Sequence, residues 1–364
     1  MQGNTRFTNK KRILLVNLSK IWGGGEKWFL TMGKALVHEG FPVTWIVYPG
    51  SPLEEKCKRE KLPHVSLALR LLHLPFFLNF LTQKLREIGP DMVILNASQE
   101  LKTVGLVAKE LGIPHIIFRR GVSYPLRSHR FNKWMIKHVV TGFLANSQAT
   151  YAAFVSAFPC VEHKPTLTLN NGIQYEEWVA DVSPEPIPGR LGLVARLSQE
   201  KGIDRAILAM RRVKQEGISG ELHILGKGPD EERLKLLTKE SDLEDYVVFR
   251  GFSHDVRKEL ARCSLFIFTP KYGEGTSIAL IEAMALSLPC IVMDTPAMKE
   301  VVIDGETGFV VPDGHSEVMG DKIIDLLTHD SKRNTMGKAA QIRAATYFNL
   351  PEIAKDLSNW IESL

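Results

Sequence analysis

Cysteine is scarce in this chain. Four thiols in 364 residues, Cys57, Cys160, Cys263 and Cys290, are scattered with no C-x-x-C pair and no metal-like spacing. A disulfide framework and a structural zinc are therefore not expected, and a reduced, cytoplasmic compartment is. Long apolar runs are also missing. A spanning helix needs ~20 apolar residues, and the nearest approach, LLHLPFFLNFL, is broken by His73, Pro75 and Asn79. The opening MQGNTRFTNKKRILLVNL has polar residues and then a short strand, where a secretory leader would have an apolar core. The expectation is a chain that does not cross a membrane. No Ser-His-Asp or Cys-His arrangement can be assembled, and no D-x-D-like metal motif stands in a suitable loop. The histidines fall mostly in helix or strand contexts, where structural roles are commoner than catalysis.

Acid is absent from Leu111 to Val161, while Arg119, Arg120, Arg127, Arg130, Lys133 and Lys137 are all cationic. Phe118, Tyr124, Phe131 and Trp134 interleave with them. Such a surface suits anionic lipid headgroups or a phosphorylated acceptor. Nucleic acid is not expected, because no nucleic-acid motif accompanies the charge. The plainer alternative is a solvated basic helix with Phe131, Trp134 and Met135 as core contacts.

What is present has the balance of a globular protein, 44% hydrophobic and 24% charged. The length suits two domains of ordinary size. Strand and helix alternate in both halves, which predicts parallel sheets with helices on both faces. Strands are expected at Ile13–Asn17, Val43–Val47, Met92–Leu95, His115–Phe118 and Gly142–Ala145, then at Leu191–Ala195, Glu221–Leu225, Val247–Arg250, Leu265–Phe268, Cys290–Met293 and Phe309–Val311. The proline-rich DVSPEPIPGR between the halves reads as a linker. The domains are accordingly expected at 1–180 and 181–349.

The most informative run is GEGTSIALIEAMALSLPCIV. A glycine-flanked loop carrying Glu274 leads into an apolar helix carrying Glu282, about two turns further on. Helix N-termini offer free N–H groups that suit a phosphate, and carboxylates so placed accept hydrogen bonds from vicinal hydroxyls. Upstream, in GRLGLVARLSQEKGIDRAIL, Arg196 and Lys201 flank the loop at a strand's carboxyl end, where open α/β sheets bind ligands. An arginine fork with a lysine point charge clamps a diphosphate. In ELHILGKGPDEERLKLL a third strand runs into Gly226-Lys227-Gly228 and a helix. Near the start, Gly23-Gly24-Gly25 opens a helix but does not fit G-x-G-x-x-G, since Trp28 takes the last place. Glycines there let backbone approach a ligand closely, and Glu26 reads as a first-turn helix charge.

Taken in order, GGGEKWFLTMGKALVHEGFPVTWIV, ANSQAT, LNNGI, ARLSQEKG, LGKGPDEERL, the Glu274-to-Glu282 run and DGETGFVVPDG resemble the retaining GT-B glycosyltransferases of family 4, over nearly the whole chain. The resemblance implies two Rossmann-like domains facing across a cleft, with residues 350–364 crossing back to the first. It implies a hexosyltransferase-like enzyme using a nucleoside-diphosphate sugar donor and a glycan or lipid-linked acceptor, without a metal or other cofactor, in cell-surface polysaccharide, lipopolysaccharide or glycolipid synthesis. In residue terms it implies that Arg196 and Lys201 hold the donor diphosphate, that Glu274 contacts hydroxyls of the transferred sugar and that Glu282 binds the ribose. Backbone amides of Gly275, Thr276, Ser277 and Ile278, and of Gly24 and Gly25, would approach the phosphates, with Gly226 and Gly228 on the donor side. One departure stands out. Many relatives carry His-Gly or His-Asp after the fourth long strand, at a sugar contact, and here Arg119-Arg120-Gly121 takes that place. This allows an anionic group on donor or acceptor. Localisation is expected to be cytoplasmic, with peripheral attachment to the inner membrane face. Two rivals share the fold: a nucleotide-sugar epimerase, which would need carboxylates or histidines facing the sugar from the first domain, and a non-catalytic sugar-nucleotide-binding subunit, which would be expected to have lost Arg196, Lys201 or one of the glutamates.

Overall fold

The computed structural model describes residues 10–68, 75–123, 129–180, 186–253 and 255–364. Tyr124 and Arg127 of the basic stretch, His73 of the apolar run, residues 181–185 of the linker and the first nine residues lie outside these.

The chain divides into two compact units, Met1–Asn170 with Leu350–Leu364, and Asn171–Asn349. The first is a seven-stranded parallel sheet of β1 (Ile13–Asn17), β2 (Val43–Val47), β3 (His64–Ser66), β4 (Met92–Leu95), β5 (His115–Arg120), β6 (Gly142–Ala145) and β7 (Thr166–Thr168), in the order β3-β2-β1-β4-β5-β6-β7. The second is a six-stranded parallel sheet of β8 (Arg190–Val194), β9 (Glu221–Leu225), β10 (Val247–Gly251), β11 (Leu265–Phe268), β12 (Cys290–Met293) and β13 (Gly308–Val311), in the order β10-β9-β8-β11-β12-β13. Runs such as ILLVN and LFIF are buried at every position, as strands covered on both faces must be.

Alternate residues of each strand feed opposite faces. In the first unit Leu14, Val16, Val93, Leu95 and Phe118 pack under the helices of 75–88, 98–110, 130–138 and 148–157. Ile13, Leu15, Trp45, Ile94 and Ile117 pack under Gly24–His38, Pro52–Arg59 and the terminal helix Leu350–Ser363. That last helix contributes Leu350, Ile353, Ala354, Leu357 and Ile361 to this core, and the Lys11 ammonium donates to the Ile361 carbonyl at 2.7 Å.

Residues 171–180, which the sequence reading places with the first domain, belong to the second unit. Their contacts account for it. The Asn171 amide donates to the Thr276 carbonyl, and the Trp178 indole donates to the Glu282 carbonyl at 3.0 Å. The three-residue strands β3 and β7 were not expected. The apolar helix carrying Glu282 spans Ile278–Ala285, and Ser287 then adopts a positive φ of 60°.

In each sheet the connections reverse direction between two adjacent strands, β1 and β4 in the first unit and β8 and β11 in the second. A crevice opens at the carboxyl ends of such a pair.

Candidate active site

At the second reversal, β8 and β11 pair at Leu191–Leu265 and Gly192–Phe266. Past that point the two exits are laced together by their loops. After β8 the chain runs through Arg196, makes a 3-10 turn over Gln199–Lys201 and enters the helix Ile203–Gln215 at Gly202. Gly202 has a left-handed φ of 59°, and a Cβ there would lie 2.1 Å from the Thr269 carbonyl oxygen just beyond β11. Only glycine meets both demands. The close approach lets the Thr269 hydroxyl donate to the Lys201 carbonyl at 3.3 Å and the Lys271 amide donate to the Glu200 carbonyl at 2.9 Å. The Lys271 ammonium donates to Asp204 Oδ2 at 2.7 Å.

This lacing brings Lys201 against Glu274, whose carboxylate it pairs with directly. The two side chains are 24% and 11% exposed, so solvent and salt screen the pair less than they screen a surface contact. Arg196 is exposed on the same loop, beside Leu197, which is 1% exposed and anchors the turn in the core. Burial resists ionisation of Glu200, but the Ser198 hydroxyl at 2.5 Å and the cations of Lys201 and Arg196 hold its carboxyl below the ordinary range. Glu200 thus stands ionised under the influence of both bases while Lys201 keeps its pairing with Glu274.

Beyond Glu274, residues 275–278 are all buried, and Ser277 caps the helix Ile278–Ala285 with no side-chain bond to its first turn. The donors of that turn are presented by backbone alone, the arrangement that suits a phosphate. Glu282 is 5% exposed on the same helix. Asn171 and Trp178, which the sequence reading did not single out, hold both ends of this segment through the Thr276 and Glu282 carbonyls.

Gly226 and Gly228 have a packing reason of their own. Cβ atoms on them would lie 1.9 Å from the Ala195 carbonyl oxygen and 2.2 Å from that of Leu197. The loop after β9 is zipped to the Arg196 loop by Ala195 N to Leu225 O, Leu197 N to Lys227 O and Asp230 N to Leu197 O, at 3.0–3.1 Å. These glycines set the position of Arg196.

The first unit has its own polar cluster at the β1–β4 reversal. The Glu100 carboxylate accepts from the backbone N–H of Leu18 after β1 at 2.8 Å, and of Asn96 and Ala97 after β4 at 2.7 and 2.8 Å. Burial pushes its carboxyl up to about 7 against those three donors, with Glu26 adding to the rise. Glu100 therefore pins the two strand exits together. Its sequence signal was a glutamate at the third position of a helical turn, which reaches back to the N–H groups before it. Glu26 is 7% exposed on the first turn of Gly24–His38, with Gly23 as cap and Gly24 and Gly25 opening the helix.

Arg119, expected on the acceptor or sugar side, is held from several directions. It is 2% exposed, donates to Asn96 Oδ1 at 3.0 Å and lies 4.1 Å over the Trp28 ring. Burial pulls its guanidinium down to about 9, with Glu26 opposing, so it stays charged at neutral pH. The absence of acid in the neighbouring sequence is made good by Glu26, distant along the chain. Arg120 is likewise buried, 7% exposed, and its guanidinium stands 5.8 Å from the Phe118 ring. Glu26 and Glu100 are both buried carboxylates of the first unit, and Glu100 is committed to backbone donors.

Comparison with known proteins matches residues 22–177 to Glycosyltransferase Family 4 and residues 183–343 to Glycosyl transferases group 1. WcaL of Salmonella typhimurium, assigned to colanic acid biosynthesis as a glycosyltransferase, is 31% identical over 180 residues, 47% of this chain and 44% of WcaL. A Campylobacter jejuni N-acetylgalactosaminyltransferase, named for a diphospho-undecaprenol-linked acceptor, is 26% identical over 82% of this chain and 84% of its own. The chain spans about half the length of the first curated relatives it matches, 44%, 48% and 53%. Among solved structures, Anabaena HepE in complex with UDP and glucose superposes with a TM-score of 0.85 at 19% identity, over 97% of this chain and 100% of HepE, which is a likeness of fold.

Proposed function

The chain belongs to the family 4, group 1 glycosyltransferases and has their GT-B fold, and on that premise we propose that it moves a sugar from a nucleoside-diphosphate sugar to an acceptor hydroxyl with retention of configuration. The products would be cell-surface polysaccharide, lipopolysaccharide or glycolipid. The observation that carries the reading is the Lys201–Glu274 pair at the β8–β11 reversal, with Arg196 on the same loop as Lys201 and, after Glu274, a helix N-terminus that has no side-chain cap bond.

Each group then has a task. Arg196 and Lys201 bind the diphosphate, joined by backbone N–H groups of 275–278. Glu274 holds Lys201 in place and accepts hydrogen bonds from the sugar hydroxyls, while Glu282 takes the ribose. As the bond from the anomeric carbon to the diphosphate oxygen breaks, its electron pair leaves on that oxygen, and fixed cations stabilise the developing charge. The acceptor oxygen forms the new bond on the same face, and its proton passes to the departing phosphate oxygen. The donor class is supported by the UDP and glucose held by HepE, and the lipid-linked acceptor by the name of the Campylobacter relative. In this scheme the two cations supply the charge that a metal would otherwise supply, and we expect chelators to leave the rate unchanged.

The test is to incubate the protein with a panel of nucleotide sugars and follow release of nucleoside diphosphate by slow donor hydrolysis. One donor is expected to react, and Lys201→Ala is expected to lower its rate by about 10²–10³-fold, the scale of removing one preorganised stabiliser. An unchanged rate in that folded variant would overturn the assignment. Conversion of the donor to its epimer would make the protein an epimerase, and tight donor binding without turnover, even with acceptor extract, would make it a binding subunit.

A further inference from the structure

The helix Arg130–His138 keeps Asn132, Met135 and Ile136 inside and turns Arg130, Phe131, Lys133, Trp134, Lys137 and His138 outward. Its two large aromatics are therefore not core contacts. Phe131 and Trp134 are 46% and 47% exposed, and they stack on each other at 6.3 Å between ring centroids and 14° between planes. The Lys102 ammonium, from the neighbouring helical stretch, lies 5.7 Å from the Phe131 ring. Lys164 fastens the C-terminus of the helix by donating to the Lys137 and Val140 carbonyls at 3.1 and 2.6 Å.

The pattern continues on the same side of the sheet. The helix Pro75–Ile88 buries Phe77, Leu81 and Leu85 in the core that also receives Met135 and Ile136. It leaves Leu78 and Phe80 exposed at 45% and 43%, with Lys84 at 5.8 Å from the Phe80 ring. Single exposed apolar residues need no explanation, but a set of them on one face does. On the helix Arg130–His138 the set is interleaved with cations, and no carboxylate is found from Leu111 to Val161, whereas Lys84 on the other helix is paired with Glu87 at 2.6 Å. A protein partner's core would favour aromatics without this density of lysine. Aromatics at headgroup depth ringed by Lys and Arg are what an anionic bilayer surface takes.

We propose that this face of the first unit is a docking surface for an anionic membrane, with Arg130, Lys133, Lys137 and Lys102 attracting the headgroups and Phe131 and Trp134 entering the interface. The proposal stands independently of the donor chemistry. It places the enzyme where lipid-linked acceptors are found.

The experiment is sedimentation of the full chain with large vesicles of phosphatidylcholine alone and of phosphatidylcholine with 30% phosphatidylglycerol, over a salt series. Binding is expected only with the anionic vesicles and is expected to fade as the Debye length shrinks from about 10 Å at 0.1 M to about 3 Å at 1 M salt. The triple variant Arg130→Glu, Lys133→Glu, Lys137→Glu should lose about 10²-fold in vesicle affinity, at roughly fivefold for each cation removed. Phe131→Ala with Trp134→Ala should weaken binding while leaving its salt dependence in place. All of these side chains are exposed, so thermal unfolding and donor hydrolysis should stay as in the parent. Equal binding to neutral vesicles, no binding to either, or full binding by the charge-reversed variant would each overturn the proposal.

Discussion

Gly228→Ala tests whether the glycine loop after β9 serves to place Arg196. The missing Cβ would lie 2.2, 2.6 and 2.7 Å from the carbonyl oxygen, carbonyl carbon and nitrogen of Leu197, all main-chain atoms with no flexible side-chain tip to swing aside. Reaching an ordinary contact needs a separation of about 1 Å. Leu197 cannot absorb it cheaply, because its side chain is 1% exposed in the core and its peptide is bonded to Lys227 and Asp230. The movement must therefore pass along the backbone into Arg196. Displacing a positioning group by ~1 Å can cost about 10²-fold in rate. Overpacking of this kind costs about 1–3 kcal/mol in stability, which lowers Tm by several degrees and leaves the chain folded at 25 °C. The assay is kcat/KM for donor hydrolysis beside a thermal melt. Gly217→Ala is the control. Its φ of 65° makes alanine strained, yet nothing lies within 4 Å of the added carbon, and it stands at the far end of the helix that follows the Arg196 loop. The control should lower Tm and keep activity. If Gly228→Ala keeps kcat/KM within about twofold, or if the two variants lose activity in step with Tm, the reasoning fails.

The two glutamates of the second unit should separate by ligand. Glu282→Gln is expected to weaken bare nucleoside diphosphate and donor alike, whereas Glu274→Gln should leave the bare nucleotide nearly unchanged while lowering transfer; equal losses by calorimetry would refute that division. In the first unit, Glu100 has a folded-state pKa raised from 4.5 to about 7 by burial. Its protonated form is thus favoured by folding, a contribution fully present below the unfolded value and lost as pH rises through the folded one. Denaturant melts should show the parent losing roughly 3 kcal/mol between pH ~4.5 and ~7 relative to Glu100→Gln, which has no such step, and parallel pH profiles would show that Glu100 does not titrate there.

The two sheets were legible because strands buried on both faces read as short apolar runs bounded by turn signals, as Ile13–Val16 and Leu265–Phe268 do. The strands β3 and β7 were not legible, since HVS and TLT are three residues each, lie at sheet edges and are only half-buried, so neither an apolar run nor an alternation can declare itself. The Lys201–Glu274 pair could be anticipated because both residues sit just past strand ends, and parallel topology brings such ends to one edge. What could not be read was direction. Arg119, taken for a ligand contact, is enclosed by Trp28, Asn96 and Glu26, while Phe131, a candidate for the core, faces outward beside Lys102. Residue type alone argues the reverse in both cases, because a buried guanidinium is costly and an exposed phenyl is wasteful. The balance is struck by partners far along the chain. A buried cation needs an acceptor and a counter-charge delivered from other elements, and the exposed aromatic pair on the cationic face is, under the docking proposed above, covered by a membrane.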